Sequence, residues 1–592
     1  METVLDKLKY IERYKRASNA ATASKVDANS NVTQKTIAGL EAELFKPDTI
    51  EINRKLVCDK LQDMFPKENL AQQYLDDLKN HLIYTHDETS LKPYCASITL
   101  YPFLLYGTKC LGGVSRAPKN LQSFCGSFIN LVYQIASNFS GAIATVEFLA
   151  YFDYFARKTY GKDYLDTHSR NIEQELQGVV YALNQPASAR GDQSVFWNIS
   201  LFDNGYMHEM FDDFYFPDGS QVDFESVRKL QFYFMEWFRK ERTKEVLTFP
   251  VQTNAMLTDG KGGFKDEEFM KKSAEENSKG LSFFVYMSDK VDSLASCCRL
   301  RNELADNTFS YTLGAGGVVT GSARVITINI NRLLQSNESL DSLLRRVHKY
   351  LLAHKYVIKG YIDAGLLPAY TQGFMDLDKQ FLTVGVNGVL EGYEYLVASG
   401  RVQGYNYESF LRGLLWSIKV MNTHGRKQYG VRYNTEFVPA ENLGVKNAKW
   451  DKEDGFMVPR SCYNSYFYAV EDSHLNVLDK IHLYRNDIVQ FLDGGSALHL
   501  NLEQLLTPTQ FEHLYRLCSK EGVNYWTTNV LCTICNECGR VNPETNNHCV
   551  YCGSDDVDYG TRVIGYLKRI SNFSEGRQQE AAKRYYHIRP KE

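Results

Sequence analysis

Two Cys-x2-Cys pairs near the C-terminus, Cys535-x2-Cys538 and Cys549-x2-Cys552, constrain this chain more than any other feature. Each pair offers two sulfurs from one tight turn, and four thiolates complete the tetrahedral shell that zinc prefers. Gly539 and Gly553 each follow the second cysteine of a pair, where such a turn needs a residue without a Cβ. The spacing predicts a structural zinc site held by Cys535, Cys538, Cys549 and Cys552, in a knuckle spanning residues 521–556. His548 is an alternative ligand, and Cys532 offers a competing register three residues upstream of Cys535. A pair of disulfides is disfavoured in a reducing compartment, and the start of the chain, METVLDKLKY, lacks the apolar core of a secretory signal. A cytoplasmic location is therefore expected, with the 13 cysteines serving as ligands, reactive thiols and core residues.

The chain has 592 residues, of which 44% are hydrophobic, enough for a large core. Its 39 tyrosines and 13% aromatic content argue against disorder. The net charge of −4 gives no global field for nucleic acid, and the knuckle itself carries Glu537, Glu544, Asp555, Asp556 and Asp558. A nucleic-acid-binding zinc ribbon is thus disfavoured, though a non-catalytic zinc module remains the alternative from another functional class. The most apolar stretch, residues 127–152, is interrupted by Asn130, Gln134, Asn138 and Glu147, so no membrane span is expected.

Helical and strand patterns alternate between about residues 120 and 500, which points to α/β architecture. Leu343, Leu344, Val347, Leu351 and Leu352 fall on one stripe of a helix over residues 340–361, either core packing or a subunit interface. Strands are predicted over residues 323–330, after a glycine-rich turn at 314–321, and over 381–386. Residues 1–80 read as a charged helical flank, 81–520 as the main domain, and 557–592 as a separate C-terminal loop and tail.

That C-terminal segment contains Arg562-Val563-Ile564-Gly565-Tyr566-Leu567, followed by Phe573-x-x-Gly576. A glycine α-carbon can flatten without a side-chain clash, so its flanking amide and carbonyl can delocalise an unpaired electron. Among 40 glycines, Gly565 is singled out by its neighbours. Far upstream, Cys297-Cys298 precede Arg299, and Cys95 lies in Pro93-Tyr94-Cys95. In this order and spacing, together with His86-Asp87, Asn29-x-Asn31, residues 184–198, Thr248–Thr253, Pro439-Ala-Glu441 and Gly494-Gly495-Ser496 with His499, the motifs resemble the anaerobic (class III) ribonucleotide reductase family over roughly residues 25–590.

The resemblance implies a ten-stranded α/β barrel with a central finger loop, the glycyl-radical enzyme fold. It implies a radical stored on Gly565, passed to a thiyl on Cys298 with Cys297 as the alternative, and a second cysteine, Cys95, acting in the reduction. It implies ribonucleoside triphosphates as substrates, with formate as the reductant and a small redoxin as the alternative. A radical-SAM iron–sulfur activase, dNTP or ATP effectors and a homodimer are the implied partners. Asn464 and Ser465, after Tyr463, resemble the point where a helix N-terminus meets substrate phosphates, although Asn-Ser is also an ordinary helix cap. Two departures stand out: no cone-like nucleotide-binding motif precedes residue 25, so shut-off by dATP through such a domain is not expected, and Gly321-Ser322 replaces an asparagine-rich turn. A pyruvate formate-lyase-like enzyme is the nearest rival, favoured by the vicinal cysteines and opposed by the knuckle and Cys95.

Overall fold

In the computed structural model, residues 3–26, 32, 34–187, 192–291, 293–295, 301–303, 319–402, 406–438, 442–562 and 565–587 are described. Ten strands form the wall of the main domain: β1 (Cys95–Ser97), β2 (Ile143–Ala144), β3 (Trp197–Phe202), β4 (Val251–Leu257), β5 (Phe284–Ser288), β6 (Thr320–Asn329), β7 (Gln380–Asn387), β8 (Tyr433–Glu436), β9 (Leu498–Leu502) and β10 (Tyr525–Val530). Neighbours run in the order β8-β7-β6-β1-β2-β3-β4-β5-β10-β9. Pairing is parallel within β1–β5 and within β6–β8, and β9 is parallel to β10. The two seams, β1 against β6 and β5 against β10, are antiparallel.

The ring closes between β8 and the segment leading into β9. Gly494 donates to the Thr435 carbonyl (2.8 Å), Phe437 donates to the Gly495 carbonyl (3.2 Å), and Glu436 bridges Gly495 in parallel. The expected ten-stranded α/β barrel is therefore present. Its last strand extends past the expected boundary at residue 520, because β10 is needed to pair with both β5 and β9.

Parallel strands need long crossovers, and here helices supply them. Helix Leu340–Asp363 joins β6 to β7, and helix Tyr407–Tyr429 joins β7 to β8. The first starts at Ser339, whose side chain accepts from the Ser342 amide, and buries Leu343, Leu344, Val347, Leu351 and Leu352. The apolar stripe is thus core packing against the barrel. Every residue of β6 and β7 is buried, since helices cover one face and the barrel interior the other. The N-terminal helices Ile37–Met64 and Leu70–Lys79 lie over this outer layer, and Asp77 takes a forked ion pair from Arg346 (3.1 Å on each branch).

A second, smaller sheet carries the C-terminus. Val541–Asn542, Cys532–Cys535, Val557–Arg562 and Leu567–Arg569 pair antiparallel in that order. The knuckle and the glycine segment are consequently one sheet, with the glycine in the turn after Val557–Arg562.

Candidate active site

The strand pleat sends alternate side chains inward. On the outer face Trp197 packs near Phe128 and Phe148, Asn254 donates to Ser273, and Tyr433 donates to the His348 carbonyl. The opposite parity therefore faces the interior, and it is polar. Ser322 and Thr383 hydroxyls meet at 2.8 Å, Thr253 lies 3.5 Å from the Tyr525 hydroxyl, and Asn529 donates to Asn501 (2.9 Å). Parallel barrels are usually filled by layers of branched aliphatic residues. An interior of hydroxyls and amides is instead suited to a polar ligand.

The glycine segment closes one end of this interior. Asn529 on β10 donates to the Thr561 hydroxyl (2.9 Å) and accepts from the Arg562 amide (3.1 Å). Arg562 is 1% exposed. Its guanidinium donates to the Gly565 carbonyl (2.7 Å), to the Ser282 hydroxyl (2.8 Å) and to the Ser282 carbonyl (2.8 Å), and it lies 4.8 Å over the Phe284 ring. None of these acceptors is a carboxylate, so burial pulls the Arg562 pKa down to about 10. Ring contacts continue into the interior from Phe284 to Tyr525 (4.9 Å, stacked) and to His499 (5.6 Å), whose Nδ1 lies 3.2 Å from the Tyr466 hydroxyl.

Gly565 and Tyr566 are both buried. The Tyr566 ring meets Phe196 edge-on at 5.1 Å and lies 5.8 Å from Phe249. Phe196 packs in turn against the small cluster of Cys95 and Ala142. Cys95 is 2% exposed, on β1 opposite Ser322 of β6, and its carbonyl accepts from Gln380 (2.9 Å). Gly321 beside it has φ of +155°, and a Cβ there would lie 2.9 Å from the Ala96 Cα, so this seam requires glycine. The fold thus brings Gly565 and Cys95 to one region, linked by Tyr566 and Phe196. Cys297, Cys298 and residues 439–441 lie outside the described residues. Of the segment expected to form the finger loop, Ser293–Ala295 pairs antiparallel with Arg301–Glu303.

The four knuckle sulfurs all lie within 4.8 Å of one another, with Cys535–Cys552 and Cys538–Cys549 each at 3.6 Å. Zinc–sulfur bonds of about 2.3 Å in a tetrahedron place sulfurs about 3.8 Å apart, so the set fits a zinc ion. Cys532 is not part of the cluster. It is buried with Ile534 and Val541, and burial pushes its thiol up to about 12.

Asn464 and Ser465 require a correction. No helix starts there; the next begins at Val477, capped by Asn476. Both ends of the Asn464 side chain are engaged within the protein. Its Nδ2 donates to Glu391 (3.1 Å), and its Oδ1 accepts from the Val470 amide (3.2 Å). Glu391 is fixed in turn by Arg460 (2.8 Å). The asparagine locks an irregular segment and does not open a helix toward phosphate.

Residues 41–587 match the family described as anaerobic ribonucleoside-triphosphate reductase. The chain belongs to the anaerobic ribonucleoside-triphosphate reductase family. Among solved structures, the anaerobic ribonucleotide reductase of Thermotoga maritima in complex with dATP and CTP is similar at 28% identity and a TM-score of 0.84, covering 97% of this chain and 94% of that one. The same enzyme with dATP in its specificity site gives 28% identity and 0.81, covering 96% and 94%. A further anaerobic ribonucleotide reductase gives 27% and 0.85, covering 99% and 94%. A search of curated proteins returns no match. In the sequence Arg562 stands only as part of the motif around Gly565, with no task of its own. Its place three residues before Gly565 was the signal available. Asn434 carried none, because strand register alone aims it inward, and Tyr466 carried none, because it lies in an irregular segment outside any strand.

Proposed function

We propose that this protein reduces ribonucleoside triphosphates to 2′-deoxyribonucleoside triphosphates by a glycyl/thiyl radical mechanism, with formate as the reductant. The overall change balances as ribonucleotide plus formate plus a proton, giving deoxyribonucleotide, carbon dioxide and water. A radical-SAM activase removes a hydrogen atom from the Gly565 α-carbon. The unpaired electron passes to the Cys298 sulfur, which takes the ribose 3′-hydrogen; the 2′-hydroxyl then leaves as water. Cys95, on the neighbouring wall, takes part in the reduction that formate completes.

The observation that carries this reading is the line of contacts from Gly565 through Tyr566 and the half-buried Phe196 to Cys95, beside a polar barrel interior. Burial shields a radical from solvent and oxygen, and the reactivity of a carbon-centred radical with oxygen gives the reaction its oxygen sensitivity. Arg562 holds the Gly565 carbonyl and so fixes the plane in which the radical would delocalise. The Cys535, Cys538, Cys549 and Cys552 set would hold zinc as a structural staple for that strand. Effector control by dNTPs is in keeping with a relative that is described in complex with dATP and CTP, and a homodimer belongs to the same reading. Cytoplasmic location is part of the same reading; no helix among the described residues is long and apolar enough to cross a membrane.

The test is anaerobic turnover of CTP by the activated protein with [14C]formate. Formation of dCTP with matching release of labelled carbon dioxide is the expected result. Turnover with a redoxin but not formate would overturn the reductant, and a persistent radical with no dCTP under either condition would overturn the reaction.

A further inference from the structure

Asn434 lies mid-way along β8, is 0% exposed, and neither its Oδ1 nor its Nδ2 has a hydrogen-bond partner among the described residues. A buried side-chain amide left unpaired is costly, and native proteins satisfy nearly all such groups with protein, solvent or ligand. Here both the acceptor and the donor end are open. Its neighbours on the strand, Tyr433 and Thr435, point to the helical layer, where they bond to His348 and Asn422. Asn434 therefore points into the barrel.

The register fixes its level. Asn434 is paired with Thr383 on β7, the Thr383 hydroxyl meets Ser322 on β6, and Ser322 is paired with Cys95 on β1. Four strands thus contribute one row on the inner wall, with Cys95 at one end and the open amide at the other. A further hydroxyl on this interior, that of Ser97 two residues along β1 from Cys95, is also buried without a partner among the described residues.

We propose that Asn434 is a substrate-contacting residue whose amide pairs with the vicinal 2′- and 3′-hydroxyls of the ribose. This rests on the reading of the protein as a ribonucleotide reductase. A carboxamide presents one donor group and one acceptor side by side, and a vicinal diol can complement both. A phosphate cannot, because it offers only acceptors and would face Oδ1 with a like partial charge. A nucleobase edge could, but a fixed amide matched to one base would reject others. The sugar is the part all ribonucleotides share, and the row carries the cysteine assigned to chemistry at the sugar.

The experiment is calorimetric binding to the full-length, unactivated protein, so that no radical or turnover is needed. CTP and 3′-deoxy-CTP are titrated into wild type, Asn434→Leu and Asn434→Ala, with dATP present throughout. Wild type should bind CTP about tenfold more tightly than 3′-deoxy-CTP, equivalent to about 1.4 kcal/mol. Both variants should lose that preference and bind CTP about tenfold more weakly. Their melting temperatures without nucleotide should be no lower than wild type, since an unpaired polar group has been removed. A variant that keeps the preference for CTP, or that melts earlier while binding CTP normally, overturns the assignment and leaves Asn434 a structural residue. A variant that loses discrimination between CTP and ATP while keeping the 3′-hydroxyl preference overturns it in favour of a base contact. Failure of wild type to bind any ribonucleotide instead sinks the functional reading on which the proposal stands.

Discussion

The knuckle and the glycine turn share one four-stranded sheet, yet they are held in opposite ways. The knuckle is local: four sulfurs from two short turns converge, with Cys538 and Cys552 exposed. The glycine turn is non-local. Gly565 is buried, its carbonyl is taken by Arg562, and that arginine is anchored to Ser282 and Asn529 from two barrel strands' flanks. Downstream, Arg584 donates to the Arg562 carbonyl (2.6 Å) and pairs with Glu580 (2.6 Å), which also binds Arg577 (2.8 Å). Arg584 has a carboxylate partner, and its pKa is raised; Arg562 has none, and its pKa is lowered. The contrast teaches that the knuckle supplies rigidity from its own spacing, while the glycine depends on the barrel to hold it.

Four experiments break or sharpen that contrast. The largest effect is expected from Cys298→Ser, which should abolish dCTP formation while the radical on Gly565 still forms; Cys297→Ser should retain activity within about tenfold of wild type. Product assays run beside spectroscopic radical counts decide between the two cysteines. Next, Cys549→Ser should remove the bound metal, measured by atomic emission, and release the C-terminal sheet to proteolysis while the barrel keeps its far-ultraviolet dichroism. Structural zinc contributes on the order of 10 kcal/mol in small domains, so a partial effect would mean the barrel, not the knuckle, holds the sheet.

Arg562→Met should leave the Gly565 carbonyl without this donor, while the Ser282 carbonyl keeps its bond from Arg242 (2.8 Å), and destabilise the turn by about 2 kcal/mol. Protease cutting near residue 565 and radical yield should both report it, with little change in metal content. The smallest effect concerns the tail that returns to the barrel. The Lys480 ammonium is buried 2.9 Å from the His587 ring nitrogen, and burial depresses its pKa to about 8. Because the folded value lies below the ordinary 10.5, the folded state sheds its proton first. Stability should therefore rise as pH climbs from about 8 toward 10.5, and the denaturation midpoint of Lys480→Met should lack that part of the rise.

What the sequence revealed follows the same division. The knuckle and the apolar stripe of helix Leu340–Asp363 were legible because sequence spacing alone brings Cys535 to Cys552, or Leu343 to Val347, into contact. The two strands predicted near 323–330 and 381–386 were legible from β-branched runs. The reading of Asn464 and Ser465 as a helix start failed because a capping pattern can also serve a side-chain lock, and Glu391, which takes the Asn464 amide, lies far away in the chain. Asn434 and Arg562 were not legible as site residues, since one depends on strand register and the other on a serine carbonyl some 280 residues upstream.

The most direct test of the central claim, that the barrel holds Gly565 as a buried radical store, is electron paramagnetic resonance after anaerobic activation. Wild-type protein and Gly565→Ala are compared, together with wild type grown on [2-2H]glycine. A doublet from the α-hydrogen that collapses with the deuterated glycine and is missing in Gly565→Ala is the predicted result. A signal of equal intensity in Gly565→Ala, or none in wild type with an activase proven on another substrate, would contradict it.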